Sequence, residues 1–340
     1  MRSPVRLVRN SDAGRLFDTF LITSIAAVLL TRLFLSLTGY PSIGGSGLHI
    51  AHLLPGGILM LTAILIMIGS INRSSRDVAA VLGGIGFGLF WDELGKFITR
   101  DNDYFFQPAV GIIYLSFVGL YLLTRYVIRR SYHPQDYLAN AIDLIMEGAI
   151  GELDPREYAR AKELLAKADS SHPMYKPAIA LLEQARPSKD YHPFIVDRFI
   201  AALHRPFHAF IRKPWFSKVL LGIFYAYAIV LIVTFIPLTV MHPHQPLFML
   251  FVPGANTNAV AAISSGISAI FVIQGAWHIQ KRQTQTALRR FETALIINIF
   301  VTQTFLFFRY QLTATIALIA ALALLLAIRI LLSETTEANR

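Results

Sequence analysis

Six side chains in the first hundred residues could do chemistry together: Arg32, His49, His52, Asp92, Glu93 and Lys96. His49 and His52 are three positions apart, so on a helix both imidazoles project from one face. Asp92 and Lys96 are four apart, in the order that favours a helical ion pair. That pairing leaves Glu93, about 100° further round a helix, to face His52, Arg32 or a bound ion. Three chemistries are open to such a set. His49, His52 and Glu93 could hold a divalent metal such as zinc, with a position left for water. Asp92 would then act as a base, and Arg32 or Lys96 would hold an anionic lipid or phosphate group. The same carboxylates and imidazoles could instead bind small ions or relay protons in a transporter. In the third, Asp92–Lys96 and Glu93–Arg32 pairs only fasten helices together, as ionisable groups inside a bilayer must find partners.

The elements that must position these residues are apolar helices. The 340 residues are 54% hydrophobic and 15% charged, with a mean hydropathy of +0.52. Soluble domains carry about a quarter charged residues, so the balance points to the membrane class. Cysteine is absent, which excludes disulfides, thiolate metal sites and cysteine nucleophiles. No Gly-x-Ser-x-Gly elbow supports serine catalysis. The net charge of +10 does not indicate nucleic acid, because the basic residues gather at the ends of apolar spans. A spanning helix needs ~20 apolar residues, and stretches at roughly 17–38, 48–70, 78–98, 108–128, 218–240, 257–279, 291–309 and 312–333 qualify.

The expected fold is therefore all-α, a polytopic transmembrane bundle of about eight helices. Arg2 to Arg15, Arg73 and Arg76, the stretch from Arg125 to Lys218, and Lys281 to Arg290 fall in alternate loops. Positive charge on one side of every crossing predicts that both termini are cytoplasmic. Arg2, Arg6, Arg9 and Arg15 before a long apolar run read as an uncleaved anchor helix. This orientation brings the six side chains to one depth on the extracytoplasmic side. Residues 1–129 form the site-bearing half, 130–216 a small cytoplasmic helical insertion, and 217–340 the remaining four spans. In the insertion, Asp154, Pro155 and Glu157 predict an N-cap, a first-turn proline and a capping-box partner for a helix through Ala168. A second helix over 173–186 would complete a hairpin. The basic, aromatic stretch 193–213 suits a helix lying on the inner leaflet. The insertion is also a place for a cytoplasmic protein partner, as in a scaffold or sensor.

Other features bear on the site. Pro55-Gly56-Gly57 could kink or unwind the second span beside His52, and would mark the hinge of a transporter. Gly84 and Gly88 form a small-xxx-small pair for close helix packing. Asn298 and Gln303 could reach the site from the seventh span, while His278 and Glu292 lie near the inner interface. His242 and His244, in a His-Pro-His turn on the same side, could supply a third metal ligand or simply belong to a proline-rich surface loop. The run Phe105-Phe106-Gln107 is echoed by Phe307-Phe308 and Gln311, which suggests a duplication of four helices.

At Gly47-Leu48-His49-Ile50-Ala51-His52, Asp92-Glu93-Leu94-Gly95-Lys96-Phe97 and Asp101-Asn102-Asp103-Tyr104-Phe105-Phe106, the sequence resembles an uncharacterised family of bacterial multi-pass integral membrane proteins. Thr302-Gln303-Thr304-Phe305 is similar to that family's C-terminal signature. The resemblance implies a bacterial cytoplasmic membrane location and supplies no activity. A looser resemblance is to the alkaline ceramidase-like membrane hydrolase superfamily, whose zinc site draws on three helix-borne histidines and an aspartate; His49 and His52 are the two counterparts here.

Overall fold

The computed structural model describes residues 8–38, 52–94, 108–128, 132–149, 153–185, 257–310 and 314–337, with isolated positions and one short turn between 202 and 226. Every element among these is helical: α1 (Ala13–Thr38), α2 (Leu53–Gly69), α3 (Arg73–Asp92), α4 (Pro108–Ile128), α5 (Pro134–Glu147), α6 (Pro155–Lys167), α7 (Tyr175–Gln184), α8 (Thr257–Gln280), α9 (Thr284–Ile297), a π-helical turn (Asn298–Thr302), α10 (Gln303–Tyr310) and α11 (Ala314–Glu337). Four stretches of described helix are long and apolar enough to cross a membrane: Ala13–Leu35, Ala109–Ile128, Thr284–Phe308 and Ala314–Leu332. The shorter α2 is as apolar as any of them. Leu54, Ile58, Leu61, Ile64, Leu65 and Ile68 are each more than half exposed along it. Leucine and isoleucine turned outward on this scale suit a hydrocarbon solvent and not water. The span expected at 218–240 falls largely outside the described residues.

The chain divides into two compact units, Met1–Glu93 with Gly119–Arg198, and Leu94–Val118 with Phe199–Arg340. In the first, α3 packs against both α1 and α2, and glycine makes the approach possible. A Cβ on Gly56 would lie 2.8 Å from the Gly86 carbonyl oxygen, and one on Gly86 would lie 2.6 Å from the Gly56 carbonyl oxygen. On the α1 side, a Cβ on Gly84 would meet the Phe20 carbonyl oxygen at 2.5 Å. Here the glycines do what the small-residue spacing predicts. Phe20, Phe87 and Trp91 fill the space beyond them, with ring centroids 5.5 and 5.3 Å apart in that order.

The insertion holds three helices in place of the expected hairpin. α5 starts at Pro134, with a capping box between His133 and Asp136, a signal the sequence reading passed over. Asp154 caps α6 by accepting the Arg156 backbone N–H, and Ala168 ends it. Glu157 takes no part in that cap; its carboxylate lies 3.6 Å from the Arg73 guanidinium. Leu138, Ala141, Leu144, Leu153, Ala161, Leu165, Ala178 and Leu182 form the core of this module.

An ionic seam joins the module to the starts of α1 and α3. Asp12, 4% exposed, pairs with both Arg73 and Arg160. Arg76 takes Asp143 in a two-pronged contact, 2.7 Å at each prong. The Arg73 backbone N–H donates to Glu147 at 2.6 Å, and Arg15 meets Asp77 at 2.6 Å. Burial holds the Arg73 and Arg160 guanidinium groups below their ordinary range and pushes the Glu157 carboxyl above its own, an effect that neighbouring Arg73 partly offsets.

In the second unit, Phe224, Val272, Phe291, Leu295, Ile299 and Ile328 centre the core. Phe224 stacks on Phe291 at 4.3 Å. Small residues on α8 face α9: Gly275 meets Phe291, and the Ser268 hydroxyl donates to the Ala294 carbonyl at 2.9 Å.

Candidate polar site at the end of α3

Asp92 is the last residue of α3 and Glu93 its C-cap. Both side chains are completely buried. Two carboxylates at the negative end of a helix dipole are unfavourable, and each therefore needs a positive partner. The guanidinium of Arg32, near the end of α1, supplies the first. Its Nε donates to Asp92 Oδ1, and its Nη2 lies 3.4 Å from the Asp92 carbonyl oxygen. The cation thus answers both the carboxylate and the helix terminus.

Glu93 is answered by α2. Its Oε1 accepts the backbone N–H of His52 at 2.8 Å and sits 3.1 Å from His52 Nδ1. His52 is the residue before α2 begins, so the carboxylate occupies the positive end of that helix. The imidazole is only partly buried, 26% exposed against zero for its partner. A wholly buried acid therefore adjoins a ring that is partly exposed.

Arg32 takes Asp92, and Glu93 meets His52, one of the partners that the spacing left open to it. One sequence expectation is revised: Pro55 does not break α2. α2 starts at Leu53, which places Pro55 in the first helical turn, where its missing N–H leaves no bond unmade. What sequence reasoning missed is Glu93 as the N-terminal partner of α2; the sequence signal was a buried acid opposite a helix start.

The structure brings together Arg32, His52, Asp92 and Glu93. His49, Lys96, Asp101 and Asp103 lie outside the described residues, as do His242 and His244. Among the described residues, no group of three histidine, aspartate or glutamate side chains is placed to hold a metal ion; the expected zinc set of His49, His52 and Glu93 includes one residue that is not described. Asn298 and Gln303 belong to a polar cluster within the second unit, with Ser264 and Thr302. His278 bonds to Gln283 at 2.6 Å and Glu292 pairs with Arg329 at 3.0 Å, so both are satisfied locally.

No family model matches the chain, and no characterised protein or solved structure is significantly similar to it.

Proposed function

We propose that this chain is a multi-pass protein of the bacterial cytoplasmic membrane that exchanges a proton or small cation at the His52–Glu93 pair, as an ion-coupled transporter does. In this reading the eight spans cross with both termini inside, and the pair opens to the extracytoplasmic side. One observation carries it: the buried Glu93 carboxylate faces both the ring and the backbone N–H of a partly exposed histidine. The pair can hold one proton as carboxylate and imidazolium, or as acid and neutral imidazole, at the same net charge. Losing that proton leaves a negative charge in a low-dielectric site, which favours entry of a compensating cation. Arg32 and Asp92, the residue before Glu93 on α3, offset one another.

Glu93 also links occupancy to movement. As an anion it is stabilised by the N-terminus of α2, and as an acid it forfeits most of that attraction. Protonation thus loosens the outer end of the α2–α3 contact, where Gly56 and Gly86 pack backbone against backbone. Proteoliposomes with a trapped pH dye and an imposed potassium diffusion potential test the proposal. Wild-type protein should pass protons or exchange them for Na+ or K+, and Glu93→Gln should abolish that flux; equal flux from both would overturn it.

A second reading, a metal-dependent membrane hydrolase or lipid-modifying enzyme, draws on the same two groups. His52 Nδ1 and Glu93 Oε1 are 3.1 Å apart, close to the roughly 3.4 Å between two ligands on a tetrahedral zinc. It requires His49 as the next ligand. Stoichiometric zinc in purified protein, lost on His52→Ala, would decide for it and against transport.

A further inference from the structure

The second unit contains a cluster of neutral oxygens around an irregular turn. Between α9 and α10 the helix widens over Asn298–Thr302, and the Gln303 backbone N–H reaches the Asn298 carbonyl, five residues back. Such π turns disturb the backbone ladder and recur at functional sites. Ile299, inside the turn, offers its carbonyl oxygen to the Tyr114 hydroxyl of α4 at 2.5 Å. Thr302 Oγ1 and Ser264 Oγ of α8 share a proton at 2.8 Å. Asn298, Thr302 and Gln303 are 6%, 3% and 2% exposed, and Ser264 is 4% exposed.

One atom of this cluster is unsatisfied. Gln303 turns its Nε2 toward Asn298 Oδ1 at 3.5 Å, and its Oε1 is buried and accepts a hydrogen bond from no described residue. A buried amide oxygen without a donor costs about 1–3 kcal/mol. Its cost is removed by a ligand that wants oxygen acceptors.

We propose that Gln303 Oε1, Asn298 Oδ1, Thr302 Oγ1 and Ser264 Oγ form a binding site for a dehydrated monovalent cation, Na+ being the size best served by hydroxyl and amide oxygens. The oxygens are uncharged, which argues against Ca2+ or Mg2+, ions that draw on carboxylates. An anion would need donors where the orphaned atom is an acceptor. Helix interruptions that present backbone and hydroxyl oxygens at mid-span are a known way to hold Na+ without a formal negative charge. This site lies wholly within the second unit and does not depend on the His52–Glu93 reading.

Equilibrium binding of 22Na+ to the purified full chain in detergent tests it, together with thermal unfolding in NaCl, KCl, LiCl and choline chloride at equal ionic strength. The wild type should bind 22Na+ saturably and unfold at a higher temperature in NaCl than in choline chloride. Thr302→Val and Gln303→Leu, both close in shape to the native residues, should weaken binding roughly tenfold or more, about 1.4 kcal/mol. The salt series on the wild type needs no variant, so a misfolded variant does not obscure the result. Absence of saturable binding and of any Na+ dependence in the wild type would overturn the proposal. So would full binding in both cluster variants, or binding lost in Glu93→Gln and kept in Gln303→Leu, which would move the cation to the α3 site.

Discussion

Arg32 and Asp92 bring opposite charges together at the end of α3. Removing one partner of a buried pair leaves an uncompensated charge and costs about 3–5 kcal/mol, whereas replacing both by apolar residues is often neutral. Arg32→Met and Asp92→Leu should therefore each lower stability to denaturant strongly, and the double variant should recover most of the loss. Simple additivity of the two would show that the pair is not coupled. Glu157 makes a prediction about pH. Burial raises its carboxyl above the ordinary value of about 4.5, so folding favours its protonated form. That contribution is present below the ordinary carboxylate value and is lost as pH rises through the raised one. Above about pH 4.5 the wild type should lose stability relative to Glu157→Gln as pH increases; parallel profiles would contradict the buried setting. The residue types of the site at the end of α3 were legible in the sequence, because ionisable groups inside apolar stretches stand out, and His52 was among the partners open to Glu93. The Arg32–Asp92 contact was not foreseen. The i,i+4 rule assigned Asp92 a partner on its own helix, Lys96, which lies outside the described residues, and the approach of α1 to α3 is tertiary.

At the scale of elements, α3 is held along its length by contacts between backbones. Gly86→Val should push α2 away from α3 and destabilise the chain by roughly 1–3 kcal/mol or more, the usual cost of overpacking. Gly57, next to Gly56 in sequence, has open space around the position of a Cβ. Gly57→Ala should therefore stabilise α2 by up to about 1 kcal/mol through helix propensity. If the two substitutions behave alike in thermal unfolding, the close α2–α3 approach is wrong. The α5–α7 module depends on Asp12, which meets arginines from both α3 and α6. Asp12→Ala should expose the module to limited proteolysis at low protease concentration without unfolding the apolar helices. Four of the spans, and Asp154 as the N-cap of α6, were legible because period, length and capping chemistry are local. The third helix of the module was not predicted, although Pro134 and Asp136 carry its start signals. The π turn has no local sequence signature; it shows only where Thr302 meets Ser264 and Gln303 turns to Asn298.

For the whole molecule, four described helices have the length and apolarity to cross a membrane, and the alternation of basic loops supports the proposed eight crossings. Reporter fusions after Gly45, Asn102 and Asp169 should read outside, outside and inside; any other pattern would move the opening of the α3 site. The two units carry two different chemistries, an acid–imidazole pair in the first and neutral oxygens in the second. A proton-exchanging group and a cation site of separate make-up are what an ion-coupled carrier would combine. That account rests most heavily on Glu93 gaining and losing a proton within the folded protein. The most direct measurement is the infrared difference spectrum of reconstituted protein between high and low pH, read in the carboxylic C=O stretch. The account predicts a pH-dependent carboxyl band that vanishes in Glu93→Gln and shifts in His52→Ala. A band pattern identical in wild type and Glu93→Gln would contradict it.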